Sequence, residues 1–164
     1  MENNNKALLE FDALSAGYAD DPIVRDFTTT INAGSITTIM DAWQGKRLNS
    51  PNDVVVKSDG SIWFTDPFFG LLGFYEGNIA PQELPMNVYR VDGTTLEASL
   101  VAEGILGPNG LAFSPDEKVL YIVESRGVPT RKILAYDVSA DGTKLSNKRV
   151  HIDAGPGTPD GMRC

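Results

Sequence analysis

The chain has 164 residues, close to one compact domain, and its 41% hydrophobic and 22% charged content excludes a disordered tail protein. The 16 glycines and 10 prolines favour many short elements joined by turns, as in β structure. The net charge of −8 argues against nucleic acid and anionic membranes as partners, because both are themselves negatively charged.

The two ends of the chain carry little information on chemistry. Cys164, the single cysteine, is the last residue and forms no disulfide within the chain. The N-terminus lacks the basic and apolar regions of a signal peptide, and no apolar run approaches the ~18 residues of a membrane helix. We therefore expect a cytoplasmic protein.

The first part of the chain alternates apolar and polar residues in short pieces. Residues 8–11, 23–28 and 35–40 are predicted to be three strands. Gly17 and residues 32–34 separate them, and both are good turn formers.

A repeat begins after Trp43. Residues 50–66 align with residues 107–124, and a third copy begins at residues 158–162. The spacing is close to the ~40–50 residues of a propeller blade, with one longer loop inserted. Residues 87–93 and 133–138 lie between the copies and supply further strands. Each unit thus offers four strands, which is one blade.

Four motifs in this region carry a resemblance to a known family. Residues 44–53, 59–67, 107–116 and 158–163 resemble the gluconolactonase and senescence-marker-protein (regucalcin) family, in family order. The resemblance covers residues 44–164 and implies a six-bladed propeller that binds one divalent cation and hydrolyses lactones. We therefore predict an all-β fold, a partial β-propeller of about three blades of a six-bladed type, with an extra N-terminal β segment.

The N-terminal segment has a different resemblance. Residues 7–40 are similar to the opening strands of an ABC-transporter ATPase, in which an aromatic such as Tyr18 would stack on adenine. The phosphate-binding loop G-x-x-x-x-G-K-[ST] is absent from the sequence, so nucleotide binding is the weakest functional alternative. We predict a fusion near residues 40–43, giving a structural, capping segment at 1–42 and a propeller segment at 43–164.

The candidate site comes from one repeat position. Asn52, Asn109 and Asp160 are equivalent in the three copies, and equivalent positions of successive blades converge near the central channel. Their oxygen donors suit Ca²⁺ first, with Mg²⁺, Mn²⁺ or Zn²⁺ as alternatives. The resemblance implies that Asn109 and Asp160 are metal ligands, that Asp160 is also the general base, and that Asn52 is a channel residue near metal or substrate.

Simpler interpretations stand beside these. Asn52 and Asn109 have the residue types of ordinary β-turns, and Arg47 is either a substrate-binding residue or a solvated arginine. His151 is expected to be a strand residue. Aromatic residues are expected to pack between blades and in loops; they are Trp63, Phe64, Phe68, Phe69 and Phe74.

Two functions remain open. The first is metal-dependent hydrolysis of a small-molecule lactone or ester. The second is a catalytically inactive, truncated chimera that only folds and self-associates, since the blade that carries a glutamate metal ligand in the family is replaced here. Open blade edges tend to pair with another chain, so we expect a homo-oligomer.

Overall fold

The computed structural model describes residues 7–18, 21–32 and 38–163, and in the first two ranges it describes only the backbone. The described residues contain twelve strands and one short 3-10 helix at Phe69–Leu71. The strands are β1 Ala7–Tyr18, β2 Asp21–Asn32, β3 Ala42–Trp43, β4 Lys46–Arg47, β5 Val54–Val56, β6 Ile62–Asp66, β7 Asn87–Val91, β8 Ala98–Ala102, β9 Pro108–Phe113, β10 Val119–Glu124, β11 Arg131–Val138 and β12 Leu145–Gly155.

Eight of the described strands form two antiparallel four-stranded sheets, in the orders β5-β6-β7-β8 and β9-β10-β11-β12, and β3 pairs with β4 in a separate hairpin. Each sheet is one blade, and we call them the first and the second blade. The predicted all-β partial propeller is confirmed. The third repeat copy, at residues 158–162, continues as chain without a strand.

The N-terminal strands β1 and β2 pair with each other as an antiparallel two-stranded sheet. They contain the predicted strands at 8–11 and 23–28. Of the third predicted strand, residues 38–40 are not in a strand and residues 35–37 lie outside the described part of the chain.

Aspartates close the hairpin turns of both blades. Asp59 accepts from the backbone N–H of Ser61, and Asp92 accepts from those of Thr94 and Thr95, all at 2.9–3.0 Å. Asp116 and Asp141 repeat this arrangement in the second blade. These bonds favour the charged carboxylate, and they lower the pKa of Asp92 to about 2. Some of the acidic residues of the chain therefore serve to stabilise turns.

The main core lies between the two blades. Trp63 is fully buried and meets Phe113 of β9 edge to face, with ring centroids 5.4 Å apart. Because successive strand residues point to opposite faces, Phe64 belongs to a second cluster. There it packs with Tyr89 and Val91, and this cluster is covered by Met40, Trp43 and Leu48. The β3–β4 hairpin therefore caps the outer face of the first blade.

An ionic clamp joins the turns of the two blades. Lys57 Nζ lies 3.1 Å from Glu117 and 3.3 Å from Asp59, and the Lys57 side chain is only 13% exposed. Ser58 also donates its backbone N–H and hydroxyl to Glu117. Burial alone would lower the pKa of Lys57, but Glu117 and Asp59 outweigh it and raise that pKa above 10.5.

We expect Lys57→Met to reduce the unfolding free energy by about 1–2 kcal/mol at pH 7, because Glu117 would lose its buried cationic partner. Since the folded-state pKa of Lys57 is raised, this contribution is present below pH 10.5 and is lost as the pH rises above it. Urea denaturation measures the loss. Lys118→Met is the control, because the Lys118 side chain is 80% exposed. Equal losses in the two variants would contradict the clamp.

Candidate active site

A cavity of about 420 Å³ opens where β9 approaches residues 158–160. The second blade contributes its first strand and the residues that follow β10, and the first blade contributes the long loop between β6 and β7. The lining residues are Phe69, Leu72, Gly73, Tyr75, Glu76, Asn109, Ser125, Arg126, Thr158 and Asp160.

Asn109 supplies the most distinctive group of this cavity. The residue is 8% exposed, and its backbone carbonyl accepts a 2.8 Å hydrogen bond from the Thr65 hydroxyl across the blade interface. Its side-chain oxygen Oδ1 is buried and has no hydrogen-bond partner among the described residues. A buried acceptor without a partner costs about 1–3 kcal/mol, so this oxygen is suited to a bound cation or hydrogen-bond donor.

A backbone hydrogen bond holds Asp160 beside Gly110, the residue that follows Asn109. The N–H of Gly110 donates to the Asp160 carbonyl at 3.2 Å. A side chain at position 110 would place its Cβ 2.5 Å from that oxygen, so only glycine permits the approach. The sequence Asn109-Gly110 therefore combines a potential ligand with the residue that lets the third repeat copy lie beside it. The Asp160 side chain is exposed and lines the cavity.

The other two predicted site residues lie outside this lining. Asn52 is exposed, and its backbone N–H donates to the Thr65 carbonyl at 3.0 Å. Arg47 lies in β4, where its Nε is 2.7 Å from Glu83. The structure thus brings Asn109 and Asp160 together at the cavity, whereas the predicted roles of Asn52 and Arg47 stay predictions.

Two charged residues of the lining, Glu76 and Arg126, were not found by sequence reasoning. Glu76 adds a second carboxylate from the β6–β7 loop, which is much longer than the equivalent β10–β11 loop and so carries no repeat signal. Arg126 stands two residues after Glu124, the end of β10, and its guanidinium carbon lies 5.4 Å from the centre of the Phe69 ring. His151, by contrast, is an exposed residue of β12, as expected.

The donor set fits a hard cation. No group of three His, Cys, Asp or Glu side chains suited to a metal occurs within the described ranges. The cavity instead offers the unpartnered amide oxygen of Asn109 and the carboxylate of Asp160. Neutral and charged oxygens of this kind suit Ca²⁺ or Mg²⁺ better than metals that prefer sulfur.

In each blade, a buried carboxylate at the end of the second strand binds the backbone that precedes the first strand. Asp66 accepts the backbone N–H groups of Asn49 and Ser50 at 2.9 and 2.8 Å. Glu124 takes the equivalent place in the second blade and accepts from the N–H of Leu106 at 3.1 Å. Burial raises the pKa of Asp66 to about 6, although the two N–H groups act in the opposite direction.

The raised pKa of Asp66 predicts a pH dependence of stability. Between pH 4 and 6 the folded state holds a proton that the unfolded state has released, so the unfolding free energy falls as the pH rises. Relative to Asp66→Asn, the parent protein should lose up to about 3 kcal/mol between pH 4 and 7. Urea denaturation across this range measures it.

Asp116→Asn provides the control of opposite sign. Hydrogen bonds from Ser114 and Lys118 lower the pKa of Asp116, so its contribution is lost on acidification instead. Parallel stability profiles for the parent protein and Asp66→Asn would contradict the assignment of a raised pKa to Asp66.

Comparison with known proteins identifies the family of the chain. The family described as SMP-30/Gluconolactonase/LRE-like region matches residues 12–164. The chain belongs to this family. The match begins within β1, so it includes most of the segment predicted to come from an ATPase, and the ATPase origin is not shown. The family resemblance predicted for residues 44–164 is confirmed.

Individual relatives agree with the family. A gluconolactonase of Zymomonas mobilis subsp. mobilis is 39% identical over 137 residues, which are 77% of this chain and 36% of that protein. The lactonohydrolase oryL of Aspergillus oryzae is 30% identical over 168 residues, covering 90% of this chain and 38% of that protein. A solved gluconolactonase structure from Xanthomonas campestris superposes with a TM-score of 0.68 and 38% identity, covering 82% of this chain and 42% of that chain. The chain thus spans roughly two-fifths of the length of these relatives.

Proposed function

We propose that the chain carries a metal-dependent lactone-hydrolysing site in which Asn109 and Asp160 hold a divalent cation, Ca²⁺ first among the candidates. The observation that carries the proposal is the buried Asn109 oxygen, which has no partner among the described residues and belongs to a cavity that the Asp160 carboxylate also lines. The family membership supports the reaction class.

Asp160 has two roles in this proposal. When bound, the cation polarises a carbonyl oxygen and makes water easier to deprotonate. The Asp160 carboxylate takes the proton from the attacking water as the new bond to the carbonyl carbon forms. The ring C–O bond then breaks, and the proton passes from Asp160 to the leaving alkoxide, giving a hydroxy acid. Asn109 contributes a neutral oxygen that stays fixed because its backbone is bonded to Thr65.

Hydrolysis of δ-gluconolactone by the purified chain tests the proposal. The protein is treated with a chelator and then supplied with CaCl₂ or MgCl₂, and proton release is followed in weak buffer. We expect acceleration above the uncatalysed rate only with the cation. A rate equal to that of buffer with every cation would contradict a hydrolase site.

A second candidate function is a folded propeller segment that binds a cation without turnover. It is favoured by the small donor set, since no group of three His, Cys, Asp or Glu side chains suited to a metal occurs within the described ranges. Cation binding measured by calorimetry without hydrolysis would identify this alternative.

The remaining sequence-based hypotheses concern assembly. We propose that residues 1–42 have a structural, capping role, which the packing of Met40 against the first blade supports. We also propose that the chain self-associates and that it is located in the cytoplasm. Within the part of the chain that the structure describes, no helix is long and apolar enough to cross a membrane. A mass in solution several times 17.7 kDa would establish self-association.

A further inference from the structure

The loop between β6 and β7 exposes an unusual set of apolar side chains. Leu72 is 61% exposed, Phe74 78%, Tyr75 98% and Ile79 63%. Such residues usually avoid water, and a cluster of them on one loop indicates contact with an apolar ligand or partner. Leu72 and Tyr75 line the same cavity as Asn109 and Asp160.

The base of this loop is anchored to the first blade. The Ser50 hydroxyl donates to the Pro67 carbonyl at 2.6 Å and accepts the Gly70 N–H at 3.0 Å. Asp66 in turn holds the backbone of Ser50. A Cβ at position 77 would lie 2.4 Å from the Gly70 carbonyl, so the loop closes tightly on itself. The apolar side chains are therefore presented from a preformed base.

The cavity is lined by apolar side chains on one part and by polar side chains on another. Phe69, Leu72 and Tyr75 form an apolar wall, and Arg126 lies beside the Phe69 ring. Asn109 and Asp160 supply polar groups where the lactone carbonyl is expected to bind, and further polar residues of the lining are Glu76, Ser125, Arg126 and Thr158. The side chains of Phe69 and Leu72 and the ring face of Tyr75 offer no hydrogen bonds, so a polyhydroxylated ring against them would lose hydrogen bonds to water without replacement.

We propose that Phe69, Leu72 and Tyr75 form a subsite for the apolar substituent of a lactone, so that the site favours alkyl- or aryl-substituted lactones over polyhydroxylated ones. The inference rests on the proposed function, because it assumes that a lactone carbonyl lies near Asn109 and Asp160. A cavity of about 420 Å³ is in the size range of sites for small ligands. Each methylene group that leaves water completely should improve binding about fourfold.

The test uses lactams, which imitate lactones but resist hydrolysis. The Kd values of 2-pyrrolidinone and 5-hexyl-2-pyrrolidinone are measured by NMR titration of the full chain in CaCl₂. We expect the hexyl chain to strengthen binding at least tenfold. Leu72→Ser should reduce this gain at least threefold.

Phe74→Ser is the matched control, because Phe74 is in the same loop and more exposed but is not among the cavity-lining residues. It should leave the gain from the hexyl chain unchanged. Absence of a gain in the parent protein, or equal reductions in the two variants, would overturn the subsite. The hydrolysis assay reports separately on the proposed function, so that gluconolactone turnover without a hexyl preference would reject only the subsite.

Discussion

Asp160→Asn is expected to lower the rate of cation-dependent lactone hydrolysis by roughly 10²–10⁴-fold, the usual contribution of a positioned general base. The substitution keeps the size of the side chain but removes both its charge and its ability to take a proton. It should also weaken Ca²⁺ binding more than Asn109→Ala does, because only Asp160 contributes a full charge. Proton release and calorimetry measure the two effects.

Glu103→Gln is a suitable control for Asp160→Asn. Glu103 is exposed and removing its charge changes the net charge of the protein by the same amount. The activity and the Ca²⁺ affinity of the Glu103→Gln variant should equal those of the parent protein. If Asp160→Asn retained more than half of the parent rate, Asp160 would not be the base.

Trp63→Ala should have the largest effect on stability, a loss of about 3–5 kcal/mol in unfolding free energy. Trp63 is fully buried, its indole N–H donates to the Ser61 hydroxyl at 2.9 Å, and its ring meets Phe113 of the other blade. The alanine variant would leave a cavity at the blade interface. Because domains are stable by only about 5–15 kcal/mol, part of the variant is expected to be unfolded at room temperature.

Urea denaturation followed by far-UV circular dichroism measures this loss. Trp63→Phe should retain most of the packing and lose less, whereas Phe74→Ala should change stability little because Phe74 is 78% exposed. A loss below about 1 kcal/mol for Trp63→Ala would show that the two blades do not depend on this contact.

The blades were predictable because their signals are local. Asp59 and Gly60 mark a hairpin turn, and Gly60 adopts the positive φ of +82° that such a turn requires. The apolar residues around Trp63 lie within the repeat, and the copy of the motif around Asn109 predicts that a second unit folds similarly. The expected packing roles of Trp63 and Phe64 are confirmed by their burial.

The site was less predictable because its geometry depends on distant parts of the chain. Arg47 pairs with Glu83, which is 36 residues away and has no motif that announces it. Phe69 and Phe74 were expected to be packing residues, yet Phe69 lines the cavity and Phe74 is exposed. The loop that carries them belongs to one blade only, so the repeat gives no information about its path.

Paramagnetic broadening by Mn²⁺ tests most directly the proposal that Asn109 and Asp160 together hold one divalent cation. Substoichiometric MnCl₂ is added to the ¹⁵N-labelled chain, and the loss of each amide signal is followed. We expect the side-chain amide of Asn109 and the backbone amides of Gly110 and Gly161 to broaden first. Broadening that begins instead at the exposed turns of Asp92 and Asp141 would contradict it.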